Sequence, residues 1–189
     1  MSDFPLPLLG FCAFSGTGKT TLLRKLIPQL QREGLRVGVV KHAHHSFDID
    51  HPGKDSYELR KAGASQMLVA SRHRLAWIAE SPHNETEPSL TEVLARLDHS
   101  KLDLVLVEGF KHARLAKIEL YRPALGKPLM YPDDTDIIAL ASDTPIDTGT
   151  AGPVQLDLND INAIAQFVLK FVAQQTAHPG VRQGKPAAC

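Results

Sequence analysis

The chain has little cysteine, no net charge and no long apolar run. Only two cysteines occur in 189 residues, Cys12 and Cys189. That count excludes a disulfide framework and a four-thiolate zinc site. Lys plus Arg and Asp plus Glu both number 21, so the formal net charge is zero. A whole-protein basic footprint for nucleic acid or an anionic membrane is therefore missing. No apolar run approaches the ~18 residues that span a bilayer. The opening Met1-Ser-Asp-Phe-Pro lacks the basic region and apolar segment of a signal peptide. A cytoplasmic protein is expected, with neither nucleic acid nor membrane among its partners.

What is present fits an ordinary globular protein. Hydrophobic residues make up 43% and charged residues 22%, and the length allows one core of normal size. An apolar run, Leu6 to Phe14, leads into Ser15-Gly-Thr-Gly-Lys-Thr-Thr21. Leu22, Leu23, Leu26, Ile27 and Leu30 then recur at helical spacing. Gly34 suits a helix C-cap, and Leu35 to Lys41 reads as a second strand. Strand, glycine-rich turn, helix, strand is a βαβ unit, which implies a parallel sheet with a right-handed crossover.

Further along, residues 42–53 read as a polar loop. Asp55 and Glu58 suit a capping box opening a helix that ends at Gly63. Gln66 to Ala70 and Leu75 to Ala79 read as a hairpin turning through Ser71-Arg-His-Arg74, with Trp77 assigned to the core. Ser89 and Glu92 suit a second capping box, with a helix through Leu97. Leu102 to Val107 is nearly unbroken apolar, as in a strand covered on both faces. Lys117 to Tyr121 and Ile137 to Ala141 are further strands. Asp160 is placed to cap a helix from Ile161 to Ala173. With no repeat and no second boundary visible, residues 1–174 read as a single domain and 175–189 as a disordered tail.

The segment Ala13-Phe-Ser-Gly-Thr-Gly-Lys-Thr20 matches G-x-x-x-x-G-K-[ST] at every fixed position but the first, where Ala13 stands for glycine. Backbone N–H groups of such a loop at a helix N-terminus make a concave anion site. Ser15, Gly16, Thr17, Gly18, Lys19, Thr20 and Thr21 are the phosphate-binding candidates. Lys19 is suited to the β- and γ-phosphates, and Thr20 to Mg²⁺. Glu108 ends a buried strand in Leu104-Val-Leu-Val-Glu-Gly-Phe110, the Walker-B arrangement, and is a candidate to hold Mg²⁺ or orient a water. Asp103, at the opposite end of that strand, is read as non-catalytic. Asp55, beside Lys54, has two compatible readings: a helix cap, or Mg²⁺ and γ-phosphate sensing from a switch-like loop.

Four of the nine histidines fall within 42–51: His42, His44, His45 and His51. With Asp48 and Asp50 they allow three readings: a metal site, a role near phosphates, or a solvated loop. Asp143 follows the Ile137 run. It suits either a loop cap or a carboxylate accepting from guanine N1 and N2. The residues alone give a purine nucleotide.

Taken in order, Ala13 to Leu22, Val40-Lys-His42, Asp50-His-Pro-Gly-Lys-Asp-Ser56, Ala62-Gly-Ala64, Val107-Glu-Gly-Phe-Lys111 and Lys117-Ile-Glu119 resemble the molybdopterin-guanine dinucleotide biosynthesis adapter family, MobB, over about residues 6–172. The resemblance implies an α/β P-loop NTPase fold: a mostly parallel sheet flanked by helices, with an added β region at a homodimer interface. It implies GTP and Mg²⁺ as ligands and weak GTP hydrolysis. It implies assistance to the guanylyltransferase that joins GMP to molybdenum-bound molybdopterin, with molybdopterin or its carrier as further partners. Carried over by position, the phosphate site is Ser15 to Thr21, the acids are Asp55 and Glu108, and Lys111 is the motif lysine. The short strands around 66–79 and 117–131 are expected to be surplus to a minimal P-loop sheet, part of them forming the dimer surface. Three rivals remain at this stage, one of them a pure binding module with no turnover, which differs only in degree. A small-molecule kinase wants an Arg-rich lid, yet Arg72 and Arg74 are split across a hairpin. A metal-delivery GTPase would use the His loop.

Overall fold

The computed structural model describes residues 4–43, 47–80 and 87–177. In chain order the elements are β1 (Leu8–Cys12), α1 (Lys19–Arg32), β2 (Val37–Lys41), α2 (Asp55–Lys61), β3 (Gln66–Ala70), β4 (Leu75–Ala79), α3 (Leu90–Leu94), β5 (Leu104–Glu108), β6 (Lys117–Tyr121), β7 (Ile137–Ser142), β8 (Val154–Asp157) and α4 (Ile161–Ala177). They form two compact units. One takes the chain up to His42 and from Leu90 onward; the other is Ala43–Ser89.

The first unit is built on a six-stranded sheet in the order β2-β5-β1-β6-β7-β8. Every pairing is parallel. All carboxyl ends therefore lie along one edge, where open α/β sheets bind their ligands. β1 is buried at all five positions, as its uninterrupted Leu-Leu-Gly-Phe-Cys demands. One face is covered by Leu22, Leu23, Leu26 and Leu30 of α1 and by Ile164, Val168 and Phe171 of α4. The other face packs Leu8, Val40, Val105 and Val107 against Leu90 and Leu94 of α3. Each such fully buried side chain contributes roughly 1.5–3 kcal/mol.

At the amino-terminal edge, Asp103 accepts from Arg36 Nε at 2.9 Å, Nη2 at 2.8 Å and the Arg36 backbone N–H at 2.8 Å. These bonds hold the Asp103 carboxyl down at about 2. Asp103 is thus a tie between β2 and β5, far along the strand from Glu108.

Several expectations need correction. Lys117–Tyr121 is not surplus: β6 lies inside the sheet, between β1 and β7. β8 was not foreseen; its Val-Gln-Leu-Asp is exposed except at Leu156 and is too short to show a period. Asp55 is the first residue of α2, not its cap. Lys54 holds the N-cap position without a side-chain bond, and Glu58 accepts instead from the Gly53 N–H at 3.3 Å. α3 stops at Leu94, short of Leu97. Asp160 does cap α4, accepting from the Ala163 N–H at 2.9 Å. The helix runs on to Ala177, so 175–177 are helical; the remainder of the expected tail lies outside the described residues.

The second unit holds α2 and the β3–β4 hairpin, whose antiparallel register pairs Gln66 with Ala79 and Ala70 with Leu75. Trp77 is not core: it is 40% exposed, and Leu68 and Leu75 are more so. The unit is knotted by Arg60, a buried guanidinium that donates to Asp48 at 2.8 Å, to Asp50 at 3.4 Å and to Glu80. Its bonds to Asp48 and Glu80 hold its pKa above the usual arginine value.

Candidate functional site

The phosphate loop leaves the sheet at Cys12 and is set by two glycines. Gly18 stands at the N-cap of α1 with φ 105°, a conformation that side chains resist. Gly16, at φ 83°, makes the same left-handed turn two residues earlier. Between them Thr17 is buried. Its hydroxyl donates to the Phe14 carbonyl at 2.8 Å. Lys19 opens the helix and folds back, donating from Nζ to the Ala13 carbonyl at 3.0 Å. This places the ammonium across the mouth of the loop. Ser15, Thr20 and Thr21 are exposed on and just after the turn.

Three charged side chains reach this edge from β2, β5 and the turn after β5. Glu108 ends β5, beside Phe11 of β1 on one side and Lys41 of β2 on the other. Its carboxylate pairs with Lys41 Nζ at 3.7 Å. Lys111 lies over the Phe14 ring, 5.8 Å from its centroid. Partial burial lowers the Lys19 pKa; the Glu108 charge opposes that shift, and the Lys111 and Lys41 charges add to it. Lys19, Lys41 and Lys111 around one carboxylate form a site suited to an anion of higher charge. The hard oxygens of Thr20 and Glu108 are the donor type that Mg²⁺ selects.

Two segments noted separately in the sequence interlock here. Gly109, at φ 94°, lets the chain turn off β5 against His42. The His42 N–H donates to the Glu108 carbonyl at 2.8 Å. The His42 and Phe110 rings lie 4.8 Å apart, centroid to centroid. His42 is therefore a packing partner at the site's edge.

Sequence reasoning missed Arg122, which follows β6. Its Nε donates to the Thr17 carbonyl at 3.0 Å, and its Nη1 to Asp143 Oδ2 at 2.6 Å. Nothing in the sequence marks it; only the sheet order brings the end of β6 beside the loop. Asp143 does lie at the carboxyl edge, as expected, with its carboxylate engaged by this guanidinium. Lys117 and Glu119 of the quoted motif are buried supports. Lys117 pairs with Asp134 at 2.7 Å, and Glu119 accepts from the Met130 and Tyr131 N–H groups at 2.8 and 2.9 Å. Burial also pushes the Cys12 thiol up to about 12, which makes it inert.

Asp55 belongs to the second unit. The histidine-and-aspartate metal reading loses its acids, because Asp48 and Asp50 are bound to Arg60. Among the described residues no group of three or more His, Cys, Asp or Glu could hold a metal ion. His44 and His45 lie outside the described residues. No helix among the described residues is long and apolar enough to cross a membrane.

A central strand, a glycine-turned loop and a helix opening on lysine, in a parallel sheet flanked by helices, define a phosphate-loop α/β protein. Residues 8–143 match the family described as Molybdopterin guanine dinucleotide synthesis protein B. The chain is 52% identical over 171 residues to the molybdopterin-guanine dinucleotide biosynthesis adapter protein of Escherichia coli (strain K12), covering 90% of this chain and 95% of that one. It is 42% identical over 163 residues to the adapter protein of Haemophilus influenzae, covering 86% and 88%. A crystal structure of molybdopterin-guanine biosynthesis protein B aligns with TM-score 0.66 at 28% identity, covering 86% of this chain and 98% of that one. The chain belongs to this family.

Proposed function

We propose that this chain is an adapter in molybdopterin-guanine dinucleotide biosynthesis that binds GTP with Mg²⁺ at the phosphate loop. The observation that carries the nucleotide assignment is the Lys19 ammonium held across a loop turned by Gly16 and Gly18, with Lys41 and Lys111 close by. The relatives' names support the biosynthetic role. Lys19 binds the terminal phosphates and the loop N–H groups cradle the others. Thr20 and Glu108 would hold Mg²⁺, whose charge offsets that of the phosphates. Asp55 takes a part in sensing Mg²⁺ or the γ-phosphate. Turnover of GTP is slow, and the guanylyltransferase that attaches GMP to molybdopterin is the partner.

The chain acts as a homodimer in this reading. The exposed Leu68, Leu75 and Trp77 on the β3–β4 hairpin support it, because a two-stranded ribbon is marginal on its own in water.

Titration calorimetry of GTP with Mg²⁺ tests the nucleotide assignment. About one GTP per chain is expected. Lys19→Ala removes a charge-assisted contact of roughly 1.5–3 kcal/mol, so affinity should drop about ten- to 150-fold. Equal affinity in the two proteins would sink the assignment.

A further inference from the structure

Two cavities open near the carboxyl edge, and they differ in what lines them. One, of about 460 Å³, is lined by Gly18, Thr21, Lys25, Arg122, Leu158 and Asn159, among others. It shares Gly18 and Thr21 with the phosphate loop. The other, of about 570 Å³, is lined by Ser142–Ile146 and by Gln155, Leu156 and Asp157. It contains Asp143 and no phosphate-loop residue. A nucleotide with its phosphates on the loop therefore meets the first cavity first, and of the polar groups there, Arg122 is the one bonded to the loop itself, at the Thr17 carbonyl.

We propose that the cavity between the starts of α1 and α4 takes the nucleoside, and that Arg122, aimed by Asp143, sets the base preference by donating to the O6 and N7 edge of guanine. The inference rests on the nucleotide reading above and names its specificity. Arg122 is held at two points, the Thr17 carbonyl and the Asp143 carboxylate. Its guanidinium is thus fixed with respect to the loop before any ligand arrives. Arginine has donors only. Guanine offers two acceptors along that edge, whereas adenine offers one acceptor and one donor. Asp143 lines the other cavity with its charge engaged by Nη1, so it acts on the base through Arg122. Apolar contact with the sugar and base comes from Leu158.

Inosine triphosphate separates this reading from direct reading by Asp143. It keeps O6 and N7 and lacks the 2-amino group. Calorimetric titrations of GTP, ITP and ATP into the full chain should give GTP and ITP alike, both tighter than ATP by about five- to a hundredfold. Arg122→Met should weaken all three through the lost Thr17 contact and bring the GTP-to-ATP ratio close to one. Arg122→Lys keeps the charge but not the fork. It covers the chance that the methionine variant fails to fold, and should also lower the ratio. Asp143→Asn should lower the ratio too, with no further loss in the double variant. GTP far tighter than ITP, with that gap removed by Asp143→Asn alone, would overturn the proposal in favour of Asp143. An unchanged ratio in both Arg122 variants would also overturn it and leave the phosphate-loop reading standing. No binding of any nucleotide by the wild type would overturn both.

Discussion

Gly109→Ala offers a sharp test of how the site is built. Gly109 sits at φ 94°, well outside the region that side-chain-bearing residues occupy readily. A Cβ there would stand 3.0 Å from His42 Cβ and 3.0 Å from the His42 carbonyl oxygen. The backbone strain costs about 1–3 kcal/mol. The crowding costs about 1–3 kcal/mol by analogy with overpacked cores. A small movement of His42 away from β5 relieves part of the crowding and leaves the φ strain in place, so the total is about 2–4 kcal/mol. For a domain of this size that is a fall in Tm of roughly 5–15 °C. Gly126→Ala is the matched control. Its φ is 59° and nothing lies within 4 Å of the added carbon, so about 1 kcal/mol is expected. Thermal and urea unfolding of the three proteins would settle the order. Equal losses from the two variants would refute the reasoning, because the cost would then be φ alone and the approach of His42 would count for nothing.

Other consequences can be measured alongside. Nucleotide affinity should hold through neutral pH and fall on the alkaline side, starting below the ordinary lysine range. The free Lys19 pKa is lowered by burial, and bound phosphate favours the ammonium; calorimetry across pH 7–10 checks this. Arg60→Leu leaves Asp48, Asp50 and Glu80 facing one another, so hydrogen exchange should speed up within 47–80 and stay slow in β1 and β5. The Asp103 carboxyl titrates near 2 when folded, below its ordinary value. Its contribution is present above about pH 4 and is lost as pH falls toward 2. The contribution is small, because the Arg36 pair is largely exposed and screened. Asp103→Asn should flatten the acid limb of the stability curve.

The loop and its strand were legible because motif and periodicity agree there: four of the five leucines and isoleucines placed on the α1 stripe are buried. The hairpin was legible to the residue, since Ser71 to Arg74 is a turn between two short apolar runs. Sheet order was not. Placing β6 beside β1 depends on crossovers that local pattern does not encode, so Lys117–Tyr121 reads as surplus from sequence alone. Arg122 was invisible for the same reason. Its two partners, Thr17 and Asp143, are distant in sequence and meet only through that order. The pairing of Asp48 and Asp50 was not legible, because their partner Arg60 sits on a helix whose facing side the sequence does not reveal.

The sheet order also sets a timetable. The two neighbours of β1 are β5 and β6, which begin at Leu104 and Lys117. During synthesis the phosphate loop's strand gains both partners only after roughly 100 more residues have followed it. At ~5–20 residues per second that is about 5–20 s. For that interval Leu-Leu-Gly-Phe-Cys is a bare apolar strand with two open edges, the kind of segment that aggregates. The part of the chain most tied to its chemistry is written roughly 100 residues before the strands that build it. Any truncation before Tyr121 leaves it unbuilt.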